Sequence, residues 1–407
     1  MNSQIADLDA VVRGAPRECP ACGDDVGVTV FDNRMVECAG YDFSTPVLRC
    51  ASCDCAYAGR ALLPKDLHRY YSVLSKYDTV RSREDISALD WERAALATDF
   101  LAPILHDLSS VLDIGCSSGL LLHALRAAGV RQVQGIDPAA DAPVAARALF
   151  DIPVAQAQAE NYEDYGSHDL VCVMAVLEHL LEPCALLDVI GRQLKPGARV
   201  LIEIPDAGAF DRPGDDRPIE PFGEFSNEHI NFLSIGDLSR MASSAGLEVE
   251  RWRTLRIAYG APDLFVLLHK APKGSQLPAA DSVSMQSRLR SGDAVARYVT
   301  RSSTALSAVE HRLQAVPPVP LLIYGAGNHT ARLMAQSAVL GSAKVLAVFD
   351  RNPHLHGQSI GGVQILPPEQ IREFAGVPVI ISTFNARREI HAALSAITQQ
   401  PRILLYD

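Results

Sequence analysis

The spacing of apolar positions divides this 407-residue chain into five segments. Residues 1–63 hold no sustained period and are rich in cysteine, which reads as a loop-dominated unit. Across 64–108, apolar residues recur at three- and four-residue steps from Leu89 to Leu105, the mark of a helix with one buried face. Residues 109–272 alternate short apolar runs with helical stretches, as a parallel sheet covered by helices requires. A Pro/Gly/Ser/Asp-rich linker opens 273–318 and gives way to a helical pattern from about Val283 to Val316, ended by Pro317-Pro318. Residues 319–407 return to strand–helix alternation. The expected architecture is two α/β units joined by a helical connector, with a small cysteine-rich unit in front.

Each α/β unit begins with a glycine turn after a strand. In the first, Val111-Leu112-Asp113-Ile114 is a buried strand, and Gly115-Cys116-Ser117-Ser118-Gly119 leads into the helix Leu120 to Ala128. Glycines there let backbone amides approach a ligand at a helix N-terminus. The next strand ends in Asp137, a residue type that accepts both hydroxyls of a ribose. A third strand ends near Ala155, followed by Ala159-Glu160-Asn161. Strand four leads into Leu177-Glu178-His179, and Leu194-Lys195-Pro196-Gly197-Ala198 precedes strand five. In the second unit, Tyr324-Gly325-Ala326-Gly327 opens a helix and a strand ends in Asp350. Its G-x-G-x-x-T is an incomplete dinucleotide pattern.

Six of the nine cysteines fall between Cys19 and Cys55. Cys19-Pro-Ala-Cys22 and Cys50-Ala-Ser-Cys53 form two CxxC knuckles, each aiming two thiolates at one point. Together they predict a closed, structural zinc site, with Cys38 and Cys55 as alternative ligands. A disulfide framework is foreign to a chain of this size without a secretory signal.

Composition excludes several classes. With 48% hydrophobic residues the chain buries real cores, and its longest apolar run, Leu170 to Leu177, is far too short to span a bilayer. A net charge of −11 without a basic run argues against nucleic acid as a partner. The expected setting is cytoplasmic, with a small-molecule substrate and a monomer or small homo-oligomer.

The D-I-G-x-x-x-G turn, Asp137, the V-L-E-H-L segment and the L-K-P-G-A turn together resemble the class I S-adenosylmethionine-dependent methyltransferases over about 109–252. The resemblance implies a Rossmann-like α/β core with the cofactor over Gly115, Cys116 and Gly119. Its ribose would lie on Asp137, Asp113 beneath its methionine end, and Glu160 near its adenine. Methyl transfer needs a base to free the acceptor of its proton. His229, in Glu228-His229 after the polar loop Asp206 to Pro221, is the candidate, with Glu228 to orient it. His179 would line the pocket.

Along nearly the whole chain the sequence also resembles the zinc-containing sugar C-methyltransferases that act on nucleotide-linked keto-deoxysugars. The four-cysteine start, the tyrosines Tyr70, Tyr71 and Tyr77, the E-H segment and the Y-G-A turn carry the likeness. So do Asp350-Arg351-Asn352-Pro353 and Phe384-Asn385. This implies that His229 removes a proton beside a sugar ketone, and that Tyr71 and Tyr77 cover the methionine end of the cofactor or the substrate. It also implies that His179, Asn227, Arg351 and Asn385 meet the substrate. The chain departs from that pattern at Phe225-Ser226-Asn227, where a tyrosine is usual, and at Asn328-His329, where a lysine is. O- or N-methylation of a sugar or another small acceptor is the alternative.

Overall fold

The computed structural model describes residues 11–74, 82–212, 220–257, 262–271, 291–316, 318–384 and 386–406, with backbone alone at 68 and 71–74. The cysteine-rich region holds an antiparallel ladder of β1 (Gly27–Asn33), β2 (Thr45–Cys50) and β3 (Ala56–Ala58). Helices α1 (Pro64–Leu74) and α2 (Ala88–Leu101) follow. The Ser87 side chain starts α2 by accepting the Asp90 amide at 3.1 Å, and Ala94, Ala97, Phe100 and Leu101 form its buried face.

The central sheet is built from β4 (Ser110–Ile114), β5 (Gln132–Asp137), β6 (Val154–Gln156), β7 (Leu170–Met174) and β8 (Arg199–Pro205). Helices α3 (Leu120–Ala127), α4 (Ala142–Phe150) and α5 (Pro183–Gln193) connect them. Every residue of β4 is buried, as expected of a strand covered on both faces. Leu120, Leu121, Leu122 and Leu125 turn the apolar face of α3 inward.

The chain then forms a two-residue strand β9 (Asn231–Phe232), α6 (Ile235–Ser244), β10 (Leu247–Leu255) and β11 (Asp263–Lys270). The sheet order is β6-β5-β4-β7-β8-β11-β10, parallel up to β8 and antiparallel at β11 and β10. The order reverses between β4 and β7, so the ends of these two strands open the crevice where doubly wound sheets bind ligands. β9 is missing from this sheet. It pairs with β3, Asn231 opposite Tyr57 and Phe232 opposite Ala56, and becomes the fourth strand of the cysteine-rich ladder.

Helix α7 (Ser291–Gln314) connects to the C-terminal unit, and Ser291 accepts the Ala56 amide at 2.8 Å. That unit holds β12 (Leu321–Tyr324), α8 (Asn328–Gln336), β13 (Val345–Phe349), β14 (Ser359–Ile360), β15 (Val363–Leu366), β16 (Val379–Ile381), α9 (Arg387–Ile397) and β17 (Arg402–Leu404). Its sheet runs β14-β15-β13-β12-β16-β17 and is parallel except for β14. Met35 and the chain around it pack into its core, and the Val36 amide bonds the Ala331 carbonyl at 3.0 Å. The buried Arg332 on α8 donates to Asn33 Oδ1 at 3.0 Å and to the Phe225 carbonyl. One guanidinium thus ties the C-terminal unit to both the cysteine-rich ladder and the loop before β9.

Candidate active site

The turn after β4 uses two left-handed glycines, Gly115 at φ 69° and Gly119 at φ 77°, conformations that cost other residues strain. A Cβ on Gly115 would sit 2.7 Å from the Val176 side chain, so the segment after β7 lies directly against the turn. Asp137 braces the turn from the end of β5. One carboxylate oxygen accepts the Ser117 amide and the other the Ala139 amide, each at 2.8 Å. Burial raises its pKa, and these two amides oppose the rise. Asp113, fully buried beneath, is pushed further up by burial and then by the Asp137 charge. The Cys116 side chain turns inward and fills the space that a side chain at Gly135 would need.

Beyond Val176 the chain makes a short helical turn, Leu177–His179, opposite the segment carrying His229. The two are knotted together. The Ile230 amide bonds the Glu178 carbonyl at 2.8 Å, and the Asn231 side-chain amide bonds the carbonyls of Leu177 and Leu180, both at 2.7 Å. Arg17 closes the knot, donating to the Ile230 carbonyl at 2.9 Å and to Asn231 Oδ1 at 2.8 Å; burial lowers its pKa to about 10. The result places the His179 and His229 rings edge to face at 4.9 Å, with His179 Nδ1 3.1 Å from the Glu228 carbonyl.

Behind His179 lies a group of buried acids. Glu178 is 2% exposed and Glu203 fully buried, while Arg93 reaches Glu203 at 3.1 Å and Asp263 at 3.5 Å. Burial, with the Glu203 carboxylate nearby, pushes Glu178 up to about 8, and the same two causes raise Asp263. On the other side, Tyr70 accepts the Asn227 side-chain amide at 2.7 Å and donates to Glu228 at 3.2 Å; Asn328 of α8 donates to Asn227 at 2.8 Å. His179, Asn227 and Glu228 line a cleft with Asp42, Ser44 and Arg60 of the cysteine-rich region.

Four of the cysteines converge. The sulfurs of Cys19, Cys22, Cys50 and Cys53 all lie within 4.8 Å of one another, with Cys19–Cys53 and Cys22–Cys50 both at 3.5 Å. Four thiolates around one zinc would sit about 3.8 Å apart at a metal–sulfur bond of ~2.3 Å. The Ser52 and Cys53 amides point at the Cys50 sulfur, as knuckle geometry requires. Cys55, fully buried, bonds the Ala56 carbonyl, and Cys38 faces the Ala326 carbonyl, so neither belongs to the group of four.

The structure therefore brings together Gly115, Cys116, Gly119, Asp113 and Asp137 at one strand edge, and His179, Asn227, Glu228 and His229 beside it. Glu160 is exposed in the turn after β6. Arg351 pairs with Glu389 at 3.1 Å within the C-terminal unit. Tyr77 and Asn385, and the side chain of Tyr71, lie outside the described residues. The sequence reading missed Arg17, Arg93, Asn231 and Arg60. A lone arginine or asparagine has no spacing that marks it, and Asn231 stood unread two residues from His229.

Comparison with known proteins finds methyltransferases. The Methyltransf_23 model, a methyltransferase domain, matches residues 83–251. The chain is 27% identical over 194 residues to a ubiquinone biosynthesis O-methyltransferase of Aromatoleum aromaticum, covering 44% of this chain and 78% of that one. It is 30% identical over 151 residues to the Thiobacillus denitrificans protein of the same name, covering 34% and 65%. Among solved structures, the N-methyltransferase NodS of Bradyrhizobium japonicum, in complex with S-adenosyl-L-homocysteine, is 16% identical with a TM-score of 0.38, covering 50% of this chain and 98% of that one. No helix among the described residues is long and apolar enough to cross a membrane. With its crevice between β4 and β7 and the glycine turn braced by Asp137, the chain is an S-adenosylmethionine-dependent methyltransferase built round a class I methyltransferase domain.

Proposed function

We propose that the enzyme methylates a carbon of a nucleotide-linked keto-deoxysugar, with His229 as general base. The observation that carries this reading is the position of His229. It is held against His179 by the Arg17–Asn231 knot, and His179 lines a cleft with Arg60, Asn227 and Glu228. Gly115–Gly119 would hold S-adenosylmethionine, with Asp137 at its ribose, Asp113 and Cys116 beneath, and Glu160 toward the adenine. His229 takes the proton from the carbon beside the ketone. The enolate carbon then forms a bond to the methyl group as the carbon–sulfur bond breaks, leaving neutral S-adenosylhomocysteine. Glu228, bonded to Tyr70, orients the segment, and Arg60 and Arg351 are the cations offered to a diphosphate.

Calorimetry of the S-adenosylhomocysteine-loaded chain against thymidine and guanosine diphosphates tests the acceptor. A second, micromolar site for one of them is expected; cofactor binding with no nucleotide site would sink the sugar reading. A second reading, O-methylation of a small acceptor, is favoured by the similarity to ubiquinone biosynthesis O-methyltransferases. Loss of deuterium from the carbon beside the ketone separates the two, because only carbon transfer breaks that bond.

The four-thiolate cluster holds one structural zinc. All four thiolates fill a tetrahedral shell and leave no open position for chemistry. Elemental analysis of the purified chain should find one zinc, lost in Cys50→Ser together with the fold of the β1–β3 ladder. A native chain with no zinc ends this assignment.

A further inference from the structure

We infer that Glu178, His179 and His229 form a second, mononuclear site for a divalent cation, at the centre where the methyl group is transferred. A carboxylate oxygen and one nitrogen of each imidazole lie within 4.8 Å of one another, close enough for one ion to gather them with small side-chain movements. One carboxylate and two imidazoles are a donor set suited to first-row divalent metals, with positions left over for water or a substrate oxygen.

Three further observations point to a ligand there. Glu178 Oε2 is buried and has no hydrogen-bond partner among the described residues, an arrangement that costs free energy unless something fills it. His179 faces the Glu228 carbonyl through Nδ1 at 3.1 Å, so Nδ1 is the donor there and Nε2 is the atom turned toward the acid. That Nε2 stands 3.9 Å from Glu178 Oε1, on the side where the ion would sit. Anchoring the far ring nitrogen on a carbonyl is how proteins orient a metal-ligating histidine. Finally, Glu178 belongs with the buried acids Glu203 and Asp263 to a group of carboxylates gathered beside Arg93, a surrounding that a cation fits.

The inference rests on the placement of the methyl-transfer centre at this edge and amends the role of His229, which in the loaded enzyme is a ligand. The cation would polarise an acceptor oxygen, so that the carbon beside a ketone, or a hydroxyl, gives up its proton to solvent. In either case the acceptor's electron pair forms the bond to the methyl carbon, and the carbon–sulfur pair stays on sulfur.

Mn2+ is the probe, because hard ions leave the thiolate site to zinc. The full chain, freed of loosely held metal with EDTA and checked for retained zinc, is titrated with Mn2+ while electron paramagnetic resonance reads the free ion. One bound Mn2+ per chain is expected, weakened at least tenfold in Glu178→Gln and in His179→Gln. S-adenosylhomocysteine affinity, measured on the same samples, should stay within about twofold and shows that each variant is folded. No bound Mn2+ in the wild type, or equal binding in both variants, overturns the site and returns His229 to the role of free base. Failure to bind S-adenosylhomocysteine would instead strike the placement of the centre.

Discussion

At the end of β5, Asp137 accepts the amides of Ser117 and Ala139, both at 2.8 Å; at the end of β13, Asp350 accepts those of Ala326 and Asn352, at 2.7 and 2.8 Å. Both turns begin with a left-handed glycine, Gly115 and Gly325, each with a side chain crowding the place of its missing Cβ. The surroundings differ. Over the first turn lie the Val176 segment and the crevice between β4 and β7. Over the second lies protein: Cys38 faces the Ala326 carbonyl, the Val36 amide bonds Ala331, and Gly361 packs on Val36 and Met334. Even the helix starts differ, since Gly119 is left-handed while Gly327 is extended at φ −84°. A carboxylate bracing a glycine turn is thus a way of building a strand–helix corner, and only what covers the corner decides whether it can hold a ligand.

Substituting the two aspartates is the strongest attempt to break this contrast. Asp137→Ala should weaken S-adenosylhomocysteine binding by about 10- to 100-fold, the loss of hydrogen bonds to a charged acceptor. Asp350→Ala should leave that affinity within about twofold and lower stability by ~1–3 kcal/mol, the cost of stranded amides. Calorimetry and urea unfolding on both variants read the two effects. A matching loss of affinity in Asp350→Ala would show that the second corner shares in cofactor binding.

A smaller effect sharpens the same contrast through the histidines. His329 opens α8 almost fully buried, hydrogen-bonded to Tyr406 at 2.5 Å, with Glu220 at 3.8 Å and Arg332 nearby. Burial and then Arg332 hold its pKa down, to about 3. The unfolded chain takes up this proton near pH 6.5 while the folded one refuses it, so stability is complete above that pH and falls as the pH drops toward 3. At pH 5.5 the penalty is about 1.4 kcal/mol. His329→Gln should flatten this part of the curve, measured as urea midpoints between pH 5.5 and 7.5. An unchanged slope would mean that His329 is protonated in the fold.

Much of the core was legible because its signals are local. Gly115, Gly119 and Asp137 sit at fixed places in a strand–turn–helix unit, and the two cysteine knuckles announce their own geometry. The pairing of His179 with His229 was not legible, although both residues stood out. Their meeting depends on Arg17, Asn231 and the Glu178 backbone, which lie in three distant stretches and obey no period. The link Asn328–Asn227–Tyr70–Glu228 likewise crosses three segments through single polar contacts. The two residues of β9 carry too short a pattern to reveal which sheet they join.

That last pairing has a consequence for how the molecule comes into being. Strands β1 to β3 of the cysteine-rich ladder leave the ribosome before the parallel core, yet its fourth strand is β9, which emerges only after that core. Contacts so distant in sequence are slow to form. Until β9 arrives, the β3 edge stands open in the nascent chain, a ready template for pairing with the wrong strand. When it does arrive, the strand that seals this edge also draws His229 against His179, so the meeting of the two rings marks a correctly completed fold.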